Sequence, residues 1–311
     1  MLFTRKTCIL AKIESVYGTD PVPTGGANAM LVRNCTLTPQ DLDTVDRDLY
    51  RPYFGNSPQL VTGQKVGLDF EIEIAGAGTS AITAPAYDPI LQACGFAGAS
   101  NVTKWDFTPI SSGLKSVTIY TYIDGVKHAM TGAMGSVEFD LTAKQIPVMK
   151  FKFLGLYVAP ADQANPALTT TSWQTPLGVN NTNTTVPSIH GYSCIMQSLS
   201  INVNNTLSYQ SLPGTGGEYV TITDRKPTGS MVIQAVTIAT KDFFAIAKAM
   251  TLGAVSLTHG TVAFNKFQVA CPNVQLMKPS YGDLEGVRML SIPLQFVPTS
   301  AGNDEMLFST L

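Results

Sequence analysis

Charge is scarce in this chain. Only 14% of its 311 residues are Asp, Glu, Lys or Arg, against about 25% in an ordinary soluble domain. Thr, Asn, Ser and Gln carry the polar load instead, which suggests that like subunits cover much of the surface. The formal net charge is −2, so there is no basic excess to support sequence-independent DNA binding. Three histidines, His128, His190 and His259, have no partner at metal-ligand spacing, and no CxxC pair occurs. The motifs G-x-S-x-G and H-E-x-x-H are missing too. No metal, cofactor or catalytic set is therefore expected. The five cysteines are odd in number and widely spaced, as expected of small buried hydrophobes in a reducing compartment. No apolar run approaches membrane-spanning length, and only a four-residue apolar stretch follows Met1–Lys6. Neither membrane insertion nor a signal peptide is expected, and folding in a cytoplasm is.

What the chain does contain is one pattern written twice, from about Asn34 to Val158 and from about Tyr192 to the end. Each copy opens with a short alternating strand, Asn34–Thr38 and Gln197–Ile201. Each then has a long polar loop and a strand entered through a basic residue and a glycine, at Lys65–Gly67 and Lys226–Gly229. A helix with an early aspartate follows, over Pro85–Cys94 and Thr240–Leu252, and each copy closes on an Ile-Pro strand beginning at Ile146 or Ile292. Strong period-two alternation elsewhere, with Asp124-Gly125 as a hairpin turn, makes the rest β. The expected fold is mainly β: two tandem sandwich or barrel domains, each with one short helix. The expected division is an extended N-terminal arm (1–33), domain one (34–158), a Thr/Asn/Pro-rich linker (159–191) and domain two (192–311).

Two weak chemical signals are present. Gly76–Ala81 reads superficially as G-x-G-x-x-A, but the strand before it carries three acids and Pro85 soon follows. That context suits a glycine-rich loop better than a dinucleotide site. Asp69, Glu71 and Glu73 alternate with Leu68, Phe70, Ile72 and Ile74, so one strand face is acidic. Two of these acids could stand about 7 Å apart, within the range for glycoside hydrolysis. A continuous row, however, makes a face more readily than a catalytic pair. Glu138, Asp140, Lys150 and Lys152 are the candidate neighbouring charges, leaving three net negative charges on the polar strand faces of copy one. Two readings stand level. This is an ordinary solvated face with Lys150 and Lys152 as cross-strand partners, or it is an acidic wall lining a conduit and repelling phosphate.

The tandem β units, long polar loops and N-terminal arm resemble the tail tube (major tail) proteins of long, non-contractile-tailed bacteriophages. Leu10–Pro21 (LAKIESVYGTDP) is similar to the opening of such proteins in phages related to transposable Pseudomonas siphophages. The resemblance implies a structural, non-enzymatic virion protein, assembled in the host cytoplasm, whose strands join into a barrel around a lumen. Three two-domain chains would close a pseudo-sixfold ring, and stacked rings would conduct DNA, which passes without specific binding. Partners implied in the same way are further copies, a tape-measure protein, a tail terminator and distal tail or baseplate proteins. The loops Pro39–Gly63 and Asn204–Gly217 would meet neighbouring subunits. The competing reading is a β-sandwich that binds carbohydrate or a receptor as a fibre or decoration protein, which would favour exposed aromatic platforms. Trp105 and Trp173 are its only tryptophans.

Overall fold

The computed structural model describes residues 1–311. Strands β1 (Thr7–Ile13), β2 (Ala29–Met30), β3 (Arg33–Val45) and β4 (Leu60–Glu73) precede helix α1 (Asp88–Ala93). Then come β5 (Phe96–Asn101), β6 (Lys104–Pro109), β7 (Val117–Ile123), β8 (Val126–Thr142), β9 (Val148–Tyr157) and β10 (Ala161–Asp162). The second half holds β11 (Thr184–Ile189), β12 (Tyr192–Ser193), β13 (Met196–Asn202), β14 (Asn205–Ser211), β15 (Glu218–Arg225) and β16 (Thr228–Gln234). Helix α2 (Phe243–Lys248) leads to β17 (Leu252–His259), β18 (Phe267–Leu276), β19 (Ser280–Leu284), β20 (Val287–Phe296) and β21 (Leu307–Thr310). The chain is mainly β, with two short helices.

Both halves use the same antiparallel strand order. In the first it is β1-β7-β8-β9-β4-β3. In the second it is β11-β17-β18-β20-β16-β13. Chain order agrees as well, with each helix lying between the fourth-ladder strand (β4 or β16) and the next hairpin. A seam joins the halves. β13 lies along the far side of β8, with Ser200 opposite Asp140 and Ile201 opposite Phe139. The hairpin β5–β6 has no counterpart in the second half, and β21 pairs with both β6 and β18.

The expected arm and linker differ from the structure. β1 pairs with β7 along its whole length, and Ile9, Leu10 and Ala11 are fully buried. Its sequence TCILAKI buries both faces, Ile9 and Ala11 in the main core and Cys8 and Leu10 in a second cluster with Tyr120 and Tyr122. No period-two signal survives that, so the segment reads as irregular. β11 occupies the equivalent place in the second half, inside the segment expected to be a linker.

One core of 47 buried residues runs through both halves. Phe139 of β8 stacks on Phe308 of β21 at 4.0 Å between centroids, and Phe267 of β18 stands 5.9 Å from each of them. Each such side chain contributes on the order of 1.5–3 kcal/mol through burial, so the halves hold each other.

The Ile-Pro strands are not in equivalent register. Ile292 is fully buried in mid-strand, whereas Ile146 is exposed and precedes β9. The helices are shorter than expected, and their aspartates differ in role. Asp242 caps α2 by accepting from the Ala245 amide at 2.8 Å. Asp88 lies inside the first turn of α1, buried, and accepts from Gln92 and from Trp105 Nε1.

Candidate functional site: a polar sheet face with two open edges

Through the seam, eight strand positions form one continuous surface in the order β3, β4, β9, β8, β13, β16, β20 and the β18–β19 run. Alternation along each strand sends Leu68, Phe70, Phe151, Phe139, Ile201, Met231 and Ile292 into the core. The intervening polar residues share the other face. One cross-strand row on that face reads Arg33, Glu71, Lys150, Glu138, Asn202, Thr228, Gln295, Gln275. A second row runs Glu73, Val148, Asp140, Ser200, Ser230, Pro293. The first half of the face is charged and the second half is neutral.

All seven charged residues singled out from the sequence lie on these strands, and the structure resolves their partners. Arg33 Nε stands 3.2 Å from Glu71, which also accepts from Asn34 Nδ2 at 2.9 Å, and the Arg33 guanidinium lies 3.7 Å from Glu73. Lys150 donates to Asp140 at 2.8 Å and lies 3.7 Å from Glu138, which accepts from Ser200 Oγ across the seam. Burial pushes the Asp140 carboxyl up, but hydrogen bonds from Lys150 and Thr142 outweigh it and hold the pKa below the ordinary carboxylate value. The bond to Asp140 holds Lys150 above its own ordinary value against desolvation. Asp69 and Lys152 stand opposite one another in register, yet neither makes an ion pair within 4.0 Å.

The cation that sequence reasoning missed among these rows is Arg33. With it the rows from Asp69 to Glu73 carry five acids and three bases, leaving two net negative charges where three were expected, while Lys65 further along β4 is held by Asp41 and Asp43. Arg33 precedes the visible alternation of its strand, so no periodic signal marked its side.

The weak alternatives gain nothing from geometry. Gly76 packs against the Phe264 carbonyl and Asn265, and no helix begins until Asp88. His259 joins Thr184 Oγ1 to the Leu177 carbonyl, and His190 contacts the Val274 carbonyl. No three His, Cys, Asp or Glu side chains stand together as a metal set. Trp105 donates to Asp88 and Trp173 to the Ala29 carbonyl, both part-buried, so neither forms an open platform for sugar.

The polar sheet has two open edges. β3 pairs only with β4, and β19 pairs only with β20. Such edges leave unpaired N–H and C=O groups able to template another strand. Beyond β3 the hairpin continues to a tip, residues 46–59, on which Tyr50 and Phe54 are fully exposed.

No curated protein matches the chain. A family model described as phage tail tube protein matches residues 4–296, nearly the whole length and both halves together. The chain therefore belongs to the phage tail tube protein family, a family of structural virion components.

Proposed function

We propose that this chain self-assembles edge to edge into closed rings, and that stacked rings form the tail tube through which DNA passes into the host. The observation that carries the reading is the β8–β13 seam. There the first strand of unit two's polar sheet adds to the last strand of unit one's. In the matching strand order, β3 corresponds to β13, and the β18–β19 run corresponds to β8. The join made once within the chain can thus be repeated between β19 of one copy and β3 of the next, which pairs both open edges. Two equivalent units in one chain then act as successive positions around a ring.

Size favours three copies. Eight strand positions at about 4.8 Å spacing and about 40° tilt occupy roughly 50 Å of circumference per chain. Three chains give a barrel about 48 Å across at the backbone, and the side chains leave a bore of roughly 35–40 Å. Two chains leave only about 20 Å, too tight for a hydrated duplex. In this arrangement the polar face lines the bore, with Asp69, Glu71 and Glu73 inward and the helices outside. Its net negative charge keeps phosphate from sticking. Tape-measure, terminator and distal tail proteins are the partners such a tube requires.

Negative-stain microscopy of concentrated purified protein tests the reading. Rings or tubes with a stain-filled bore are the expected result. A persistent monomer that retains glycan would favour the carbohydrate-binding alternative.

A further inference from the structure

Between corresponding strands, each half carries an insertion of nearly equal length. Residues 39–64 are the outer part of the β3–β4 hairpin with its tip, and residues 203–227 link β13 and β16. The second insertion is the hairpin β14–β15, and it does not stay on its own half. It lies across β4, β8 and β9 of the first half and reaches the end of α1. Asn205 Nδ2 donates to the carbonyls of Cys94 at 2.7 Å and Gly135 at 2.9 Å. Ile222 and Asn205 pack over Gly95, within 3.9 Å of where a β-carbon would stand. Val220 is buried, its amide and carbonyl both bonded to Tyr17 Oη. At the tip, Tyr209 Oη accepts from the Gln64 amide, at the root of the first insertion.

The first insertion has no such cover. Leu42, Val45, Leu49, Tyr50, Tyr53, Phe54, Leu60 and Val61 are all exposed, crowded into 26 residues. The surface that would receive it is also bare. Met250 follows α2 in the left-handed conformation (φ 53°), as Gly95 follows α1 (φ 81°). Met250 is 67% exposed where Gly95 is covered, and Leu252 and Met277 are exposed at the same end of the β17–β18 ladder. α2 buries only Phe243, whereas α1 buries five of its six residues.

We propose that residues 39–64 fold over the second half of a neighbouring copy, on the α2 end around Met250, Leu252 and Met277, as β14–β15 folds over the first half within the chain. This rests on the edge-to-edge assembly proposed above and adds which surface the insertion meets. Within its own chain the counterpart of that surface, at the end of α1, is already occupied by β14–β15. Its partner is a second copy of this chain, since the seam that positions β14–β15 is the one that assembly repeats. Val61 is exposed on the strand that leads out of the insertion, so a probe there reports what the insertion meets.

The test places a benzophenone amino acid at Val61 in the full-length protein, assembled from equal amounts of 15N-labelled and unlabelled subunits and irradiated. Trypsin releases the target surface as Ala249–Lys266, which holds Met250 and Leu252, and Phe267–Arg288, which holds Met277. Cross-links between labelled and unlabelled copies that map to these two peptides are the expected result. Assembled tubes whose cross-links map elsewhere, or within one copy, would overturn this inference and leave the assembly reading standing. Wild-type protein that never assembles would overturn both. In a second measurement, the Tyr50→Ser, Phe54→Ser double variant should keep the wild-type melting temperature, because both rings are bare in the single chain, yet lose at least tenfold in tube yield. Undiminished yield would count against the docked insertion.

Discussion

Glu14 shows how much a single buried side chain can organise. It has no cationic partner. Its carboxylate instead accepts from the Gly18 and Gly132 amides at 2.7 Å each, from Thr118 at 2.6 Å and from Ser116 at 2.5 Å. These four donors come from the turn after β1, from β7 and from β8, so one carboxylate fixes the first strand of the fold against two others. Glu14→Gln would keep the shape but aim an NH₂ at donors, and hydrogen bonds to charged groups are worth about 1.5–3 kcal/mol each. A loss of roughly 2–4 kcal/mol is expected, read as a lower urea midpoint with unchanged slope. A second residue-scale expectation concerns pH. Asp140 at the seam and Asp106 between β6 and β21 both have folded pKa values below the ordinary one. In each, burial is outweighed by hydrogen bonds, from Lys150 and Thr142 in the first and from Ser309, Asn101 and Lys104 in the second. A depressed carboxylate stabilises the fold above its unfolded pKa, and that contribution disappears as pH falls through the folded value. Stability should therefore hold from neutral pH to about 5 and fall below about 4. Asp140→Asn should flatten part of the fall in urea midpoints taken across that range, by about 0.5–1 kcal/mol.

At the level of elements, the open edge of β3 is the most direct handle on assembly. Successive N–H groups on a strand alternate between its two sides, so a proline at either Cys35 or Thr36 removes a donor that points away from β4. The other proline removes a ladder bond to β4 and should lower the melting temperature. The variant that melts like wild type is expected to stay monomeric in sedimentation velocity. If both prolines still permit rings, β3 is not the assembling edge. Sequence reading found the strands with clean alternation, β4, β8 and β9, because each has one face in the core and one in water. It missed β1, where Ile9 and Leu10 are buried on opposite faces, and β11, where Pro187 and a register shift interrupt the pattern. The Ile-Pro pairs failed as landmarks because a dipeptide carries no register: Pro293 sits within a paired strand and Pro147 just before one. The charged face was legible residue by residue, yet its cross-strand order was not. That order depends on how bulges set the pairing of β3 with β4, information that no single strand contains.

On the scale of the whole molecule, the polar face divides into unequal sectors. Unit one presents Arg33, Glu71, Lys150 and Glu138 as an alternating row, and unit two continues it with Asn202, Thr228, Gln295 and Gln275. Alternation cancels the charge within that row, and Asp69 faces Lys152 in the row on one side, so the net negative character comes from the row on the other side, where Glu73 and Asp140 have no cation among them. A ring of three chains would therefore carry three weakly acidic sectors separated by three neutral ones. That pattern suits a passage more than a binding surface: phosphate meets no fixed cation without a carboxylate beside it, and the hydroxyl and amide sectors offer only weak contacts. Asp69→Lys combined with Glu73→Lys changes two acids with few partners and takes these rows from two net negative charges per chain to two net positive. Assembly should survive, because neither side chain enters the core or touches the seam. The variant tubes should retain duplex DNA at low salt, with an affinity that falls steeply as salt rises, while wild-type tubes retain none at any salt. Equal retention by both would mean that the acidic strand faces away from the bore, and the polar face would then have to be the outer wall.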